Sequence, residues 1–120
     1  MTMMVEIVDA SELVRSFGHA HSGACTAHEP IVINSRVFIP QNTTGASERN
    51  AFVHRALVSN APKASGAAWA IGDPLYWDAT AKNLTKTSSG NTLCGFAVES
   101  RLSADTTSGL VEFDSFAAIS

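Results

Sequence analysis

The stretch Ile31-Val32-Ile33-Asn34-Ser35-Arg36-Val37-Phe38-Ile39-Pro40 decides the fold class. Two short runs rich in β-branched and aromatic residues flank a two-residue polar turn. That is the pattern of a β-hairpin. Pro40 closes the second run, because proline brings no N–H to a ladder.

The same rhythm continues downstream. Ala51 to Ser59 alternates imperfectly. Phe52, His54, Ala56 and Val58 fall on one face and Val53, Arg55 and Leu57 on the other, so the strand is expected to be partly buried on both sides. Leu75-Tyr76-Trp77, Asn83 to Lys86, Thr92 to Ser100 and Gly109 to Phe113 read as further strands. Between them stand Asn60 to Gly66, Gly72-Asp73-Pro74, Asp78 to Lys82, Ser88 to Asn91 and Ser103 to Ser108, all rich in turn formers. About seven short strands, with turn signals every 8–12 residues or so, predict an all-β fold. There is no strand–helix–strand rhythm and hence no parallel sheet. The expected architecture is a small antiparallel β-barrel or sandwich, jelly-roll-like.

Upstream the period differs. Ala10, Leu13, Val14 and Phe17 fall on one face of a helix, with Asp9 and Glu12 placed as a capping box and Gly18 as a terminator. The spacing predicts a short N-terminal helix, either closing the barrel or projecting as an arm. His19 to Glu29 reads as a loop. The chain therefore divides into an N-terminal arm and loop, 1–29, and a β domain, 30–120.

Composition narrows the function. At 120 residues the chain is the size of one domain. Charged residues are 16 %, where about a quarter is usual, and the difference is made up by Ala, Ser, Thr and Gly. With 45 % hydrophobic residues the chain is not expected to be disordered. A net charge of −3 with scattered basic residues lacks the footprint of a nucleic-acid binder. No apolar run is long enough to span a membrane as a helix. The N-terminus lacks the basic and apolar regions of a signal peptide, so the chain is expected to stay in the cytoplasm of the cell that makes it. Cys25 and Cys94 would there remain thiols. So little charge fits either a quiet surface or one covered in an assembly.

Few residues suggest chemistry. His19, His21, Cys25 and His28 are all zinc-ligand types, but they share one loop without a second knuckle, so no metal site is expected. Cys94 and His54 are the types of a nucleophile and its base, yet Cys94 stands inside the strongest strand and reads as a buried apolar residue. The carboxylates are spread evenly, and no phosphate-binding glycine loop is present. No catalytic residue and no cofactor are therefore assigned. Trp69, Tyr76 and Trp77 read as core and rim packing, with a ligand-binding aromatic platform for a glycan as the alternative.

An ordered series of motifs goes further. Pro62-Lys63-Ala64-Ser65-Gly66-Ala67-Ala68-Trp69 is followed by Gly72-Asp73-Pro74-Leu75-Tyr76-Trp77-Asp78 and Asn83-Leu84-Thr85. Then come Gly90-Asn91-Thr92-Leu93-Cys94-Gly95-Phe96-Ala97 and Thr106-Thr107-Ser108-Gly109-Leu110-Val111. Over about residues 50–114 the chain resembles the phage and prophage capsid-decoration, or head cement, proteins. It departs from them in its longer N-terminal lead. In the motif, Gly72-Asp73 suits a tight turn into the Tyr76-Trp77 strand. Asp78 suits a turn in which its carboxylate bonds the backbone two residues on. Gly95 suits the close approach of a backbone or a large ring such as Trp77.

The resemblance implies a non-enzymatic virion protein, made in the host bacterial cytoplasm. It would sit on the outside of an icosahedral head and bridge major capsid protein subunits. Its partners would be that protein and itself, as a homo-trimer or homo-dimer, with neither nucleic acid nor membrane. The expected contact residues are Leu13, Val14 and Phe17 of the arm and His19, His21 and His28 of the loop.

Overall fold

The computed structural model describes residues 6–7 and 14–117. Among the described residues nine strands follow in chain order: β1 (Glu6–Ile7), β2 (Arg15–Ala20), β3 (Ile31–Ile33), β4 (Arg36–Pro40), β5 (Arg49–Ser59), β6 (Pro74–Asp78), β7 (Asn83–Thr85), β8 (Thr92–Ala97) and β9 (Val111–Asp114). They form one antiparallel sheet in the order β3-β4-β5-β9-β8-β6-β7, with β1 and β2 both paired to β5. The sheet curls into a half-barrel, and β4 meets β8 across the interior. The all-β antiparallel expectation holds.

The hairpin forms as its sequence dictates. Ile31 pairs with Phe38, Val32 with Val37 and Ile33 with Arg36. Asn34 and Ser35 both have positive φ, 51° and 67°. That is the type I′ geometry whose twist matches the flanking strands.

The helix expected around Asp9 to Gly18 is corrected where the structure describes it. Phe17 and Gly18 belong to β2, opposite Phe52 and Ala51. Ala10, Leu13 and the capping residues lie outside the described residues. The physical reason is competition. An isolated helix of about two turns is marginal in water, whereas β5 offers a long row of backbone donors and acceptors that must be paired. The N-terminal segment supplies those partners.

β5 explains its own imperfect alternation. Arg15 pairs with Arg55 and Ser16 with Val53, which leaves His54 as the extra residue of a bulge. The bulge switches the parity of the strand. Val53 before it, and Ala56 and Val58 after it, all face the same core. The bulged carbonyl of His54 accepts the Ser115 amide at 2.8 Å.

The main core lies inside the half-barrel: Val37, Ile39, Val53, Leu75, Trp77, Leu84, Cys94, Val111 and Phe113, with Trp69 at its margin. Val14 packs against it from the N-terminal side. A second, smaller cluster lies on the opposite face of β4 and β5. There Phe38 and Phe52 are covered by Cys25, Ile31 and Ile33. The sheet thus buries both faces where β4 and β5 meet, and the candidate site grows from the edge of this outer cluster.

Candidate functional site: an aromatic groove beside an edge strand

The odd positions of β2 carry Phe17 and His19 toward the outer cluster. Phe17 stands edge-on to Phe38 with ring centres 5.4 Å apart, and 6.0 Å from both Phe52 and His54. His19 and His21 lie 6.0 and 6.5 Å from Phe52. From the other side Phe116 packs on Phe38 at 5.8 Å and on His54 at 5.4 Å. Over this cluster lies a groove of about 280 Å³, lined by Phe17, His19, Phe38 and Phe116 together with Ile33, Asn34 and Arg36 of the hairpin. Its two rims stay open to solvent, Phe17 being 38 % and Phe116 54 % exposed.

Ser115 fixes the far rim. It is buried, its hydroxyl donates to the Val37 carbonyl, and its amide donates to His54. Arg36 Nη1 donates to the carbonyls of Ser115 and Ala117 at 3.2 and 3.3 Å, and its guanidinium lies 5.5 Å over the Phe116 ring. The turn after β9 is therefore tied to β4 and β5, and Phe116 is held at the groove.

Of the expected contact residues, Phe17, His19 and His21 meet here. Val14 turns toward the main core. His28 stands apart in a left-handed conformation (φ 66°), its amide bonded to the Pro40 carbonyl at 2.7 Å. Leu13 lies outside the described residues. Phe116, Arg36, His54 and Ser115 were not found from the sequence. Phe116 lies beyond the last expected strand, Gly109 to Phe113, and only its aromatic character could have flagged it.

The motif residues are structural. Gly72 has a φ of 92° and makes the turn into β6. The Asp73 carboxylate accepts the Ala70 amide at 2.8 Å and pairs with Lys86 at 3.2 Å. The Ala70 bond and the lysine hold that carboxyl below its ordinary range. Asp78 Oδ1 accepts the amides of Thr80 and Ala81 at 3.0 Å each, as the expected turn requires. Tyr76 is half-buried between Thr85 and Leu93. Gly95 admits a backbone, not a ring: a Cβ there would collide with the Glu112 carbonyl oxygen.

The aromatic-platform alternative is corrected. Trp69 and Trp77 are 4 % and 2 % exposed and belong to the core. The Lys63 Nζ lies 5.3 Å over the Trp69 ring, its remaining bonds going to the carbonyls of Ala64 and Asp105. Two of the three rings thus have no face to offer a ligand.

Cys94 is fully buried beside Leu75, and burial pushes its thiol far above the usual range. His54 instead packs against Phe17 and Phe116 at the groove. The pair has no shared site. Among the described residues no three His, Cys, Asp or Glu side chains come together as metal ligands. No helix among them is long and apolar enough to cross a membrane.

The half-barrel thus encloses a packed apolar core and carries an aromatic groove on its outer face. The chain belongs to the phage cement protein family, whose model matches residues 12–113. The match reaches well upstream of the motif series and takes in β2, the histidine loop and the hairpin. No curated protein and no solved structure matches the chain. Family membership makes it a bacteriophage capsid-associated structural protein.

Proposed function

We propose that this protein binds the outside of an assembled icosahedral head and stabilises it by bridging major capsid protein subunits, with no catalytic role. The observation that carries this reading is the family match over residues 12–113. The surface supports it. A bridge needs more than one contact region. Among the described residues the first exposed apolar region is the groove between Phe17 and Phe116. Away from it, Ile71 and Leu102 are 71 % and 72 % exposed on loops. A contiguous exposed apolar patch such as the groove marks an interaction site.

Phe17 and His19 of the groove, with His21 beside them, are the contact residues of the first region. Self-association as a trimer or dimer at a symmetry axis would multiply weak contacts into avidity. The test is to mix the purified protein with expanded empty heads and image them. Ordered added density on the outer surface, bridging adjacent subunits, is the expected result. Bare heads at saturating protein would overturn the reading.

A further inference from the structure

β2 is an edge strand. It pairs with β5 on one side, and no described element pairs with its other side. All six of its residues, Arg15 to Ala20, are exposed. An edge of this kind presents free N–H and C=O groups in strand register, and proteins usually block it with lysine, proline or a covering loop. β2 has no lysine or proline, and its register shift lies at Arg15/Ser16, leaving Ser16 to Ala20 regular.

The charge around the edge is one-sided. Arg55 is paired with Glu112 at 3.1 Å, and Arg36 is held by two carbonyls. Arg15 and Arg49 are exposed and have no carboxylate partner among the described residues. Arg49 lies over Gly18, its Nη2 2.8 Å from where a Cβ on Gly18 would stand. Arg15 therefore marks the start of β2 on the face of Phe17 and His19, and Arg49 its middle on the opposite face, as strand alternation requires.

We infer that the open edge of β2 is a strand-addition site for an extended acidic segment of the shell subunit. The added backbone continues the sheet beyond Ser16 to Ala20, a carboxylate on its groove face meets Arg15 at the start of the strand, carboxylates on its other face meet Arg49, and its apolar side chains beside Phe17 and His19 extend the surface of the groove. Main-chain bonds supply affinity in such additions and alternate side chains supply specificity. A second copy is a poorer occupant. Pairing β2 with β2 would bring Arg15 and Arg49 of both chains to one edge that has no carboxylate partner for them among the described residues, and like charges across a strand pair are unfavourable. The inference rests on the decoration reading, since it takes the occupant from the shell.

The test uses the full chain and a fluorescent ten-residue peptide of alternating valine and glutamate. Two control peptides accompany it, one with lysine for glutamate and one N-methylated at every backbone nitrogen. The acidic peptide is expected to bind, and to lose tenfold or more in affinity to the Arg15→Glu/Arg49→Glu variant, whose circular dichroism stays native because both positions are exposed. Equal binding of the lysine peptide or of the N-methylated peptide would overturn the inference. So would a dimer of the free protein that excludes the acidic peptide, since a second copy would then hold the edge. On expanded heads, decoration by the wild type but not by the double variant supports it. Equal decoration by both overturns it and leaves the decoration reading standing. Failure of the wild type to decorate overturns the decoration reading, and the peptide result then judges the edge by itself.

Discussion

Gly95 lies where β8 is bonded to β6 on one side and β9 on the other, opposite Leu75 and Phe113. The collision of a Cβ with the Glu112 carbonyl is with backbone in a paired strand, which no side-chain rotation relieves. Gly95→Ala must push β9 from β8 and is expected to cost about 1–3 kcal/mol, the usual range for overpacking. The urea midpoint should fall, and an unchanged midpoint would show that the ladder yields freely. Asp73 makes a pH-dependent contribution. The Ala70 amide and Lys86 lower its folded pKa below the ordinary 3.8. A carboxyl with a depressed folded pKa stabilises fully above its unfolded value and loses that contribution as pH falls through the folded value. Wild-type protein should therefore lose stability as pH falls below about 4, the ordinary carboxyl range. Asp73→Asn should be less stable near neutral pH and show a shallower acid limb in thermal melts. Parallel acid limbs would show that the pair contributes nothing.

At the scale of elements, the β3–β4 hairpin is the part most legible in the sequence, because loop length, turn residues and flanking runs all agree. Its one compromise is Ser35, a residue with a side chain at φ 67°. Left-handed backbone costs such a residue about 1–2 kcal/mol relative to right-handed. Ser35→Gly is expected to raise stability by about 0.5–1 kcal/mol, glycine's own backbone entropy taking back part of the relief. A lower melting temperature would show that the Ser35 side chain contributes more than the strain removes. Strands β6 to β9 were legible for the same local reasons, and so were the turns at Gly72-Asp73 and Asp78. β2 was not. Its apolar residues fit helical spacing, and what makes it a strand is the unpaired side of β5, far along the chain. The groove was half legible. Phe17, His19 and His21 were singled out as contact residues, but Phe116 reaches them only through the bonds of Ser115 to Val37 and His54, which no local pattern encodes. The bulge at His54 left a trace, the imperfect alternation of β5, whose meaning becomes plain only with the register against β2.

For the whole molecule, these contacts bear on how cementing can be tested. Deleting residues 1–18 would remove most of β2 and uncover Phe52 as well as any capsid contact, so loss of binding would not separate a folding defect from a lost interface. Point changes at exposed positions avoid this. The quantity to follow is the stability of the head. A protein that binds the assembled shell and not its dissociated subunits stabilises the shell by RT ln(1 + [L]/Kd) per site, about 2.7 kcal/mol at a free concentration near 100 times Kd. That gain keeps growing with the logarithm of free protein after every site is filled. Decorated heads are therefore expected to show a melting temperature that still climbs as protein is added beyond saturation. The climb should begin at higher concentration for a Phe17→Ser variant, because a weaker contact raises Kd without changing the logarithmic slope. A melting temperature that does not rise at any protein concentration would mean that the subunits bind the protein equally well when dissociated. The protein would then coat the head without cementing it.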